Sequence, residues 1–370
     1  MTAALLPLAV VLVLCVVLPP IGALVAGQPL GQFLHLPLET RGWDALPPDP
    51  AVTWAGLTLG AALVALILWL ARSHAAAPAR PQPSVHRPWP TWSWGGPGLV
   101  IAAAAVSALG GGRLAAPLAL LGLTLVLNTH SLRRTGVCLA GQNPRYFLAL
   151  FPAGALLGWV IHWLNLFLQL WHYPDAPAAM PFALLATLDY AVLLPALVSL
   201  RQWLGTLPGL AGWGRRALPL GLGDSQAAGW PLIALAGLGL IGAGVWPDQI
   251  YPLTWVSPLL LAIGLQGLGE GVGLWAGLNR GDWGRLLLTS LAALLLGLAA
   301  QGWNQWAGPY WVFDLSLIGG PAPLGLPLIG WLGLIPLGLL GLWVADQVAR
   351  PWRGKPRKPF PDFPIKIVIK

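Results

Sequence analysis

Apolar stretches, each near the length at which an α-helix crosses a bilayer, recur along the whole chain. A helix needs about 20 apolar residues to span the hydrocarbon core. Backbone groups in lipid must pair internally, which favours helices over open strands. Ten segments meet the pattern: 3–26, 52–71, 97–111, 114–131, 146–171, 181–203, 230–246, 252–278, 286–307 and 323–347. The expected fold is an all-α integral membrane protein of about ten transmembrane helices. The third and fourth segments are short and barely separated by Gly110-Gly111-Gly112-Arg113. They read either as a tight helical hairpin or as an irregular re-entrant pair. Residues 3–26 exceed a secretory h-region and follow no charged n-region, so they read as a first span rather than a cleaved leader.

Composition enters here because it removes the alternative. Charged residues make up 9% of the 370 and hydrophobic ones 56%, with a mean hydropathy of +0.71. Soluble domains carry about 25% charge, so this chain cannot cover a water-facing surface. Cys15 and Cys138 form no CxxC pair and no disulfide framework. They read as small membrane-embedded hydrophobes.

The net charge of +8 is a topology signal rather than a nucleic-acid footprint. With ten spans, Arg72, Arg80 and Arg87, then Arg133, Arg134 and Arg145, then Arg201, Arg215 and Arg216, then Arg280 and Arg285, fall on one side together with the basic tail. Only Arg41 and Arg113 fall on the other, which carries Glu39, Asp44, Asp49, Asp175, Asp248 and Asp314. Basic residues gather in cytoplasmic loops, so both termini are expected in the cytoplasm. The expected location is a bacterial inner (cytoplasmic) or an intracytoplasmic, photosynthetic membrane. Membrane lipids are the expected partners, along with other membrane subunits or a hydrophobic small molecule, and nucleic acid is not. Many of the 22 Trp sit near predicted interfaces, among them Trp89, Trp92, Trp94, Trp171, Trp203, Trp246, Trp283, Trp306, Trp311 and Trp352. Aromatic belts account for that placement.

Two stretches are alike. Leu156-Leu157-Gly158 leads through His162 and Trp163 to Asn165, with Trp171 six residues on. Leu295-Leu296-Gly297 leads through Gln301 and Trp303 to Asn304, with Trp311 seven residues on. A basic loop precedes each, and Pro195 and Pro336 sit inside the helix that follows each. This predicts a parallel internal repeat of four spans plus two extra N-terminal spans. The units are 1–95 (two spans and a Pro/Arg loop), 96–216 (spans three to six), 217–348 (spans seven to ten) and 349–370 (a basic, Pro-rich tail).

At these residues the chain resembles an uncharacterised family of bacterial polytopic membrane proteins with a duplicated Glu/Trp/Asn-bearing helix. The match runs over roughly 85–347. It is carried by Arg133-Arg134-Thr135-Gly136, by Trp163-Leu164-Asn165 with Gln169 and Trp171-His172-Tyr173, by Gly281-Asp282-Trp283, by Trp303-Asn304, and by Pro327-Leu328-x-Gly330-x-x-Gly333-x-x-Pro336. The resemblance implies architecture and no activity. His162 and Leu166 stand where the family has Glu and Arg, and the second acidic position is lost around Gln301.

Polar residues inside a bilayer are costly and mark function by default. The candidates are His162, Asn165 and Gln169 on one helix, joined by Gln301 and Asn304 on its repeat partner, and the intramembrane acids Asp189 and Glu270. His162 would serve as an axial ligand to a tetrapyrrole, although neither His130 nor His172 lies at a matching depth. Asp189 and Glu270 would serve as proton or cation carriers in a transporter. An intramembrane enzyme acting on a lipid or isoprenoid would need an acid/base pair or metal cluster, and no HExxH, DDxxD or GxSxG motif occurs. The favoured reading is a non-catalytic accessory subunit or a binder of lipid, quinone or pigment, because apolar ligands need shape and a few orienting bonds. The proton- or cation-coupled transporter and the enzyme remain as alternatives, and no cofactor is assigned.

Overall fold

A computed structural model describes residues 5–72, 89–220, 226–269, 277–306 and 310–350. Glu270, most of the Pro/Arg loop, Trp352 and the basic tail lie outside them. The helices are α1 (Leu6–Val25), α2 (Pro50–Ala71), α3 (Gly95–Ala108), α4 (Gly112–Thr135), the short α5 (Leu139–Gln142), α6 (Pro144–Leu168), α7 (Ala179–Leu204), α8 (Gln226–Val245), α9 (Pro247–Leu268), α10 (Gly284–Trp306) and α11 (Leu328–Ala349). Two short strands, β1 (Trp171–His172) and β2 (Val312–Phe313), pair antiparallel with Trp171 opposite Phe313 and His172 opposite Val312. Among the described residues, nine helices are long and apolar enough to cross a membrane, and α3 makes a shorter tenth. This is an all-α integral membrane protein.

Local chemistry sets the helix ends. Asp49 accepts from the N–H groups of Ala51 and Val52 ahead of α2, and Asn143 accepts from Tyr146 ahead of α6. Pro50, Pro144 and Pro247 occupy the first turns of α2, α6 and α9, where a missing N–H costs nothing. Gly136 closes α4 in the left-handed conformation that glycine adopts freely.

The third and fourth apolar segments form a helical hairpin. Gly110 turns the chain at φ 84°, and Gly96 and Gly122 bring the two backbones together. At the other end of the hairpin the Arg133 guanidinium stacks 4.1 Å from the Trp89 ring. Several boundaries differ from expectation. α6 ends at Leu168 rather than 171, with Gln169 in the left-handed region as its C-cap. α9 begins at Pro247, earlier than 252, and runs to Leu268, with most of the expected remainder to 278 outside the described residues. α11 begins at Leu328, because Pro323–Gly325 forms a separate 3-10 turn.

The packing pairs correspond between the two predicted units. α3 packs on α4 as α8 packs on α9, α6 on α7 as α10 on α11, and α4 on α7 as α9 on α11. Between units, α6 meets α11 as α10 meets α7. Outside this set, α1 crosses α8 where Gly22 and Gly244 let backbones touch. α2 leans on α11 and leaves most of its surface to lipid.

On the arginine-rich side, Arg134 donates to the Thr206 carbonyl at 3.1 Å, and Arg285 pairs with Asp346. Asn128 ties α4 to α7 and α5 by donating to Ser199 Oγ and accepting from the Ala140 N–H. On the opposite side a loop from Ala26 to Asp49 lies across the strands. Arg41, 6% exposed, donates to the Asp314 carbonyl and Ser316 Oγ, each at 2.8 Å, and pairs with Asp248. Neutralisation by Asp248 gives a physical reason why this arginine departs from the one-sided charge distribution.

Candidate functional site

The two loops that follow α6 and α10 are held by the same device. Asn165 Nδ2 donates to the Trp171 carbonyl at 2.8 Å, and its Oδ1 accepts from the N–H groups of Leu170 (2.9 Å) and Trp171 (3.3 Å). Asn304 Nδ2 donates to the Trp311 carbonyl at 2.9 Å, and its Oδ1 accepts from Tyr310 (2.8 Å) and Trp311 (3.3 Å). Each asparagine bends the chain from helix into strand, and the strands then pair. Trp171 and Trp311 are thereby drawn inward rather than into an aromatic belt.

Behind the paired strands lies a cavity of about 850 Å³ with contributions from α2, α3, α4, α6, α7, α9, α10 and α11. Its walls are Leu, Ala, Gly, Val and Pro over most of their area. Polar atoms come mainly from Asp189, Gln301, Trp303 and the tyrosines Tyr173, Tyr190, Tyr251 and Tyr310. Among the described residues lining it there is no Ser, Thr, Cys, His or Lys. The volume matches that of sites enclosing a drug-sized or larger ligand. A second pocket, of about 100 Å³ between Tyr146 and Arg285 on the arginine-rich side, is far smaller.

Hydrogen bonds organise the strand end of the cavity. Trp171 Nε1 donates to Tyr173 OH at 3.0 Å, Tyr173 OH lies 3.4 Å from Tyr190 OH, and Tyr190 OH lies 3.1 Å from His162 Nδ1. Burial pushes Tyr173 up to about 12, so its hydroxyl stays neutral at any physiological pH. The Tyr310 ring lies 5.3 Å from that of Tyr173, and the Arg113 guanidinium sits 4.9 Å over Tyr310. Burial raises Tyr310 as well, reinforced by Tyr173 and Asp189 and opposed by Arg113.

The polar set expected from sequence is divided by this geometry. Asn165 and Asn304 spend every polar atom of their side chains on backbone. Gln169 is not on the helical face with His162: its Oε1 accepts from the Gly42 N–H at 2.5 Å and holds the overlying loop. His162 is 1% exposed, ringed by Trp159, Tyr173, Phe182 and Tyr190, and does not line the cavity. A flat tetrapyrrole has no open face there, although Nε2 has no partner. Of the five clustered candidates, Gln301 alone both lines the cavity and keeps a buried oxygen without a partner. Asp189 lines it too, and among the described residues it makes no hydrogen bond or ion pair. Glu270 lies outside the described residues. No group of three or more His, Cys, Asp or Glu among the described residues is placed to hold a metal. His172 follows α6 as a strand residue; burial lowers its pKa, partly offset by Asp314 and reinforced by Arg41.

Sequence reasoning missed the tyrosines and Arg113. The signal was scarcity: the chain has five tyrosines, and four of them line one cavity.

No protein-family profile matches the chain, and no solved structure does. Part of it is similar to the apolipoprotein N-acyltransferase of Pseudomonas paraeruginosa (strain DSM 24068 / PA7), 30% identical over 142 residues. That alignment takes in 34% of this chain and 26% of the acyltransferase. The chain thus spans about a quarter of the length of the curated relative it matches.

Proposed function

We propose that this protein is a non-catalytic membrane subunit that holds an elongated apolar molecule, of the lipid, quinone or pigment class, between its two four-helix units. The observation that carries this reading is the cavity of about 850 Å³, lined mostly by apolar side chains, with Asp189, Gln301 and four tyrosines among its walls. An apolar ligand gains binding energy from area and orientation from a few polar groups, and this cavity offers both. The corresponding packing pairs and the paired Asn165 and Asn304 hydrogen-bond sets support an origin by duplication of a four-helix unit. The bacterial cytoplasmic membrane, with the arginine-rich side inward, fits the charge distribution.

A second reading, an enzyme that modifies a lipid, is favoured by the likeness to an N-acyltransferase. Against it, the described cavity lining offers no Ser, Thr, Cys, His or Lys as nucleophile or base. Native mass spectrometry of protein purified in mild detergent tests the binding reading. A bound apolar molecule in fixed stoichiometry, lost when Ala119→Phe/Ala300→Phe fills the cavity, is the expected result. An empty wild-type protein that also takes up no added amphiphile would overturn it. Turnover of the bound lipid by the protein alone would decide for the enzyme.

A further inference from the structure

The lining of the cavity combines three observations. Asp189 lines it with no hydrogen bond or ion pair to a described residue. Gln301, 6% exposed, lines the cavity and has a buried side-chain oxygen with no partner, and the buried hydroxyl of Tyr310, another lining residue, has none either. The surrounding surface is aromatic, with Trp171, Tyr173 and Tyr190 on one unit and Tyr310 on the other. A lone carboxylate in an apolar enclosure is unfavourable unless it is neutralised or paired, and an unbonded buried amide oxygen adds to that cost. These groups ask for one complement: a cation with several N–H donors. The aromatic faces also stabilise a cation.

Resting on the binding reading above, we propose that the head group received in this cavity is a primary ammonium. It sits between the Asp189 carboxylate, Gln301 Oε1 and the Tyr310 hydroxyl, with the ligand's apolar chain running down the cavity. A quinone carbonyl or a carboxylate head only accepts hydrogen bonds and would leave Gln301 Oε1 unmet; a carboxylate would also repel Asp189. An alcohol supplies one donor and no charge. Arg113 lies beyond Tyr310 and outside the cavity lining, so it does not occupy this position.

Three amphiphiles with the same undecyl chain separate these cases: the amine, the alcohol and the carboxylate. They are offered together at equal concentration, at neutral pH, to the full-length protein, and bound species are counted by native mass spectrometry. The amine is expected to exceed the alcohol by at least about tenfold, the scale of one charge-assisted hydrogen-bonded pair. Asp189→Asn should remove most of that preference, leaving only the few-fold part held by Gln301 and Tyr310, while alcohol binding persists. If Asp189→Asn does not fold, Gln301→Leu and Tyr310→Phe carry the test, each expected to reduce the preference several-fold. Equal binding of amine and alcohol by the wild type, or a preference undiminished in Asp189→Asn, would overturn the ammonium assignment and leave the binding reading standing. Failure of all three to bind the wild type would remove the binding reading itself.

Discussion

Replacing Asn165 by alanine tests the device that builds the strand side of the cavity. The side chain is fully buried and satisfies three backbone groups: the N–H of Leu170, and the N–H and carbonyl of Trp171. Alanine cannot replace any of them. Each buried group left unpaired costs about 1–3 kcal/mol. Taking the lower half of that range, because the chain relaxes, gives about 3–6 kcal/mol for the three together. The strand Trp171–His172 would also lose its anchor against Val312–Phe313, so Asn304→Ala should be coupled to it. A double-mutant cycle should show a coupling of roughly 0.5–2 kcal/mol. Reversible unfolding in mixed micelles, followed by tryptophan fluorescence, gives these numbers directly. A loss below about 1 kcal/mol for Asn165→Ala would show that the loop keeps its shape without the asparagine, and the account of the cavity's construction would fail.

Arg41→Ala should cost about 2–3 kcal/mol, below the figure for breaking a fully buried pair because Asp248 keeps Ser316 and some solvent; protease cleavage within 27–49 should rise with it, and unchanged cleavage would argue against the clamp. At Gly244 a Cβ would fall 2.2 Å from the Ala23 nitrogen, whereas at Gly237 it meets nothing within 4 Å. Gly244→Leu should therefore lower the midpoint of thermal unfolding sharply and Gly237→Leu hardly at all; equal effects would refute the close α1–α8 crossing. His172 has a folded-state pKa below its unfolded value, so the folded state binds fewer protons than the unfolded one. Its contribution costs stability as pH falls below about 6.5 and vanishes above that pH. His172→Gln should flatten the acid side of the stability profile, and an unchanged profile would contradict the shift.

Much of the architecture was legible in the residues because the bilayer imposes it. Apolar length, charge placement and helix-ending Pro, Asn and Gly are local quantities, and the ten segments match the observed helices to within a few residues at most ends. α9 is the exception at its start, because Pro247 can open a helix ahead of the apolar run; most of 269–278 lies outside the described residues. The likeness of Asn165 and Asn304 was also visible, but their role was not. Polarity at a helical spacing looks the same whether a side chain faces a ligand or the backbone that follows the helix.

What the sequence alone determined was the medium, the number and rough limits of the helices, and which loops share a side. Only the tertiary structure decided that Asn165, Gln169 and Asn304 turn toward protein, that His162 is sealed among rings, and that Asp189, Gln301 and four scarce tyrosines meet in one cavity. Hydropathy and charge act residue by residue along the chain, whereas a cavity exists only where helices far apart in sequence fail to fill the space between them.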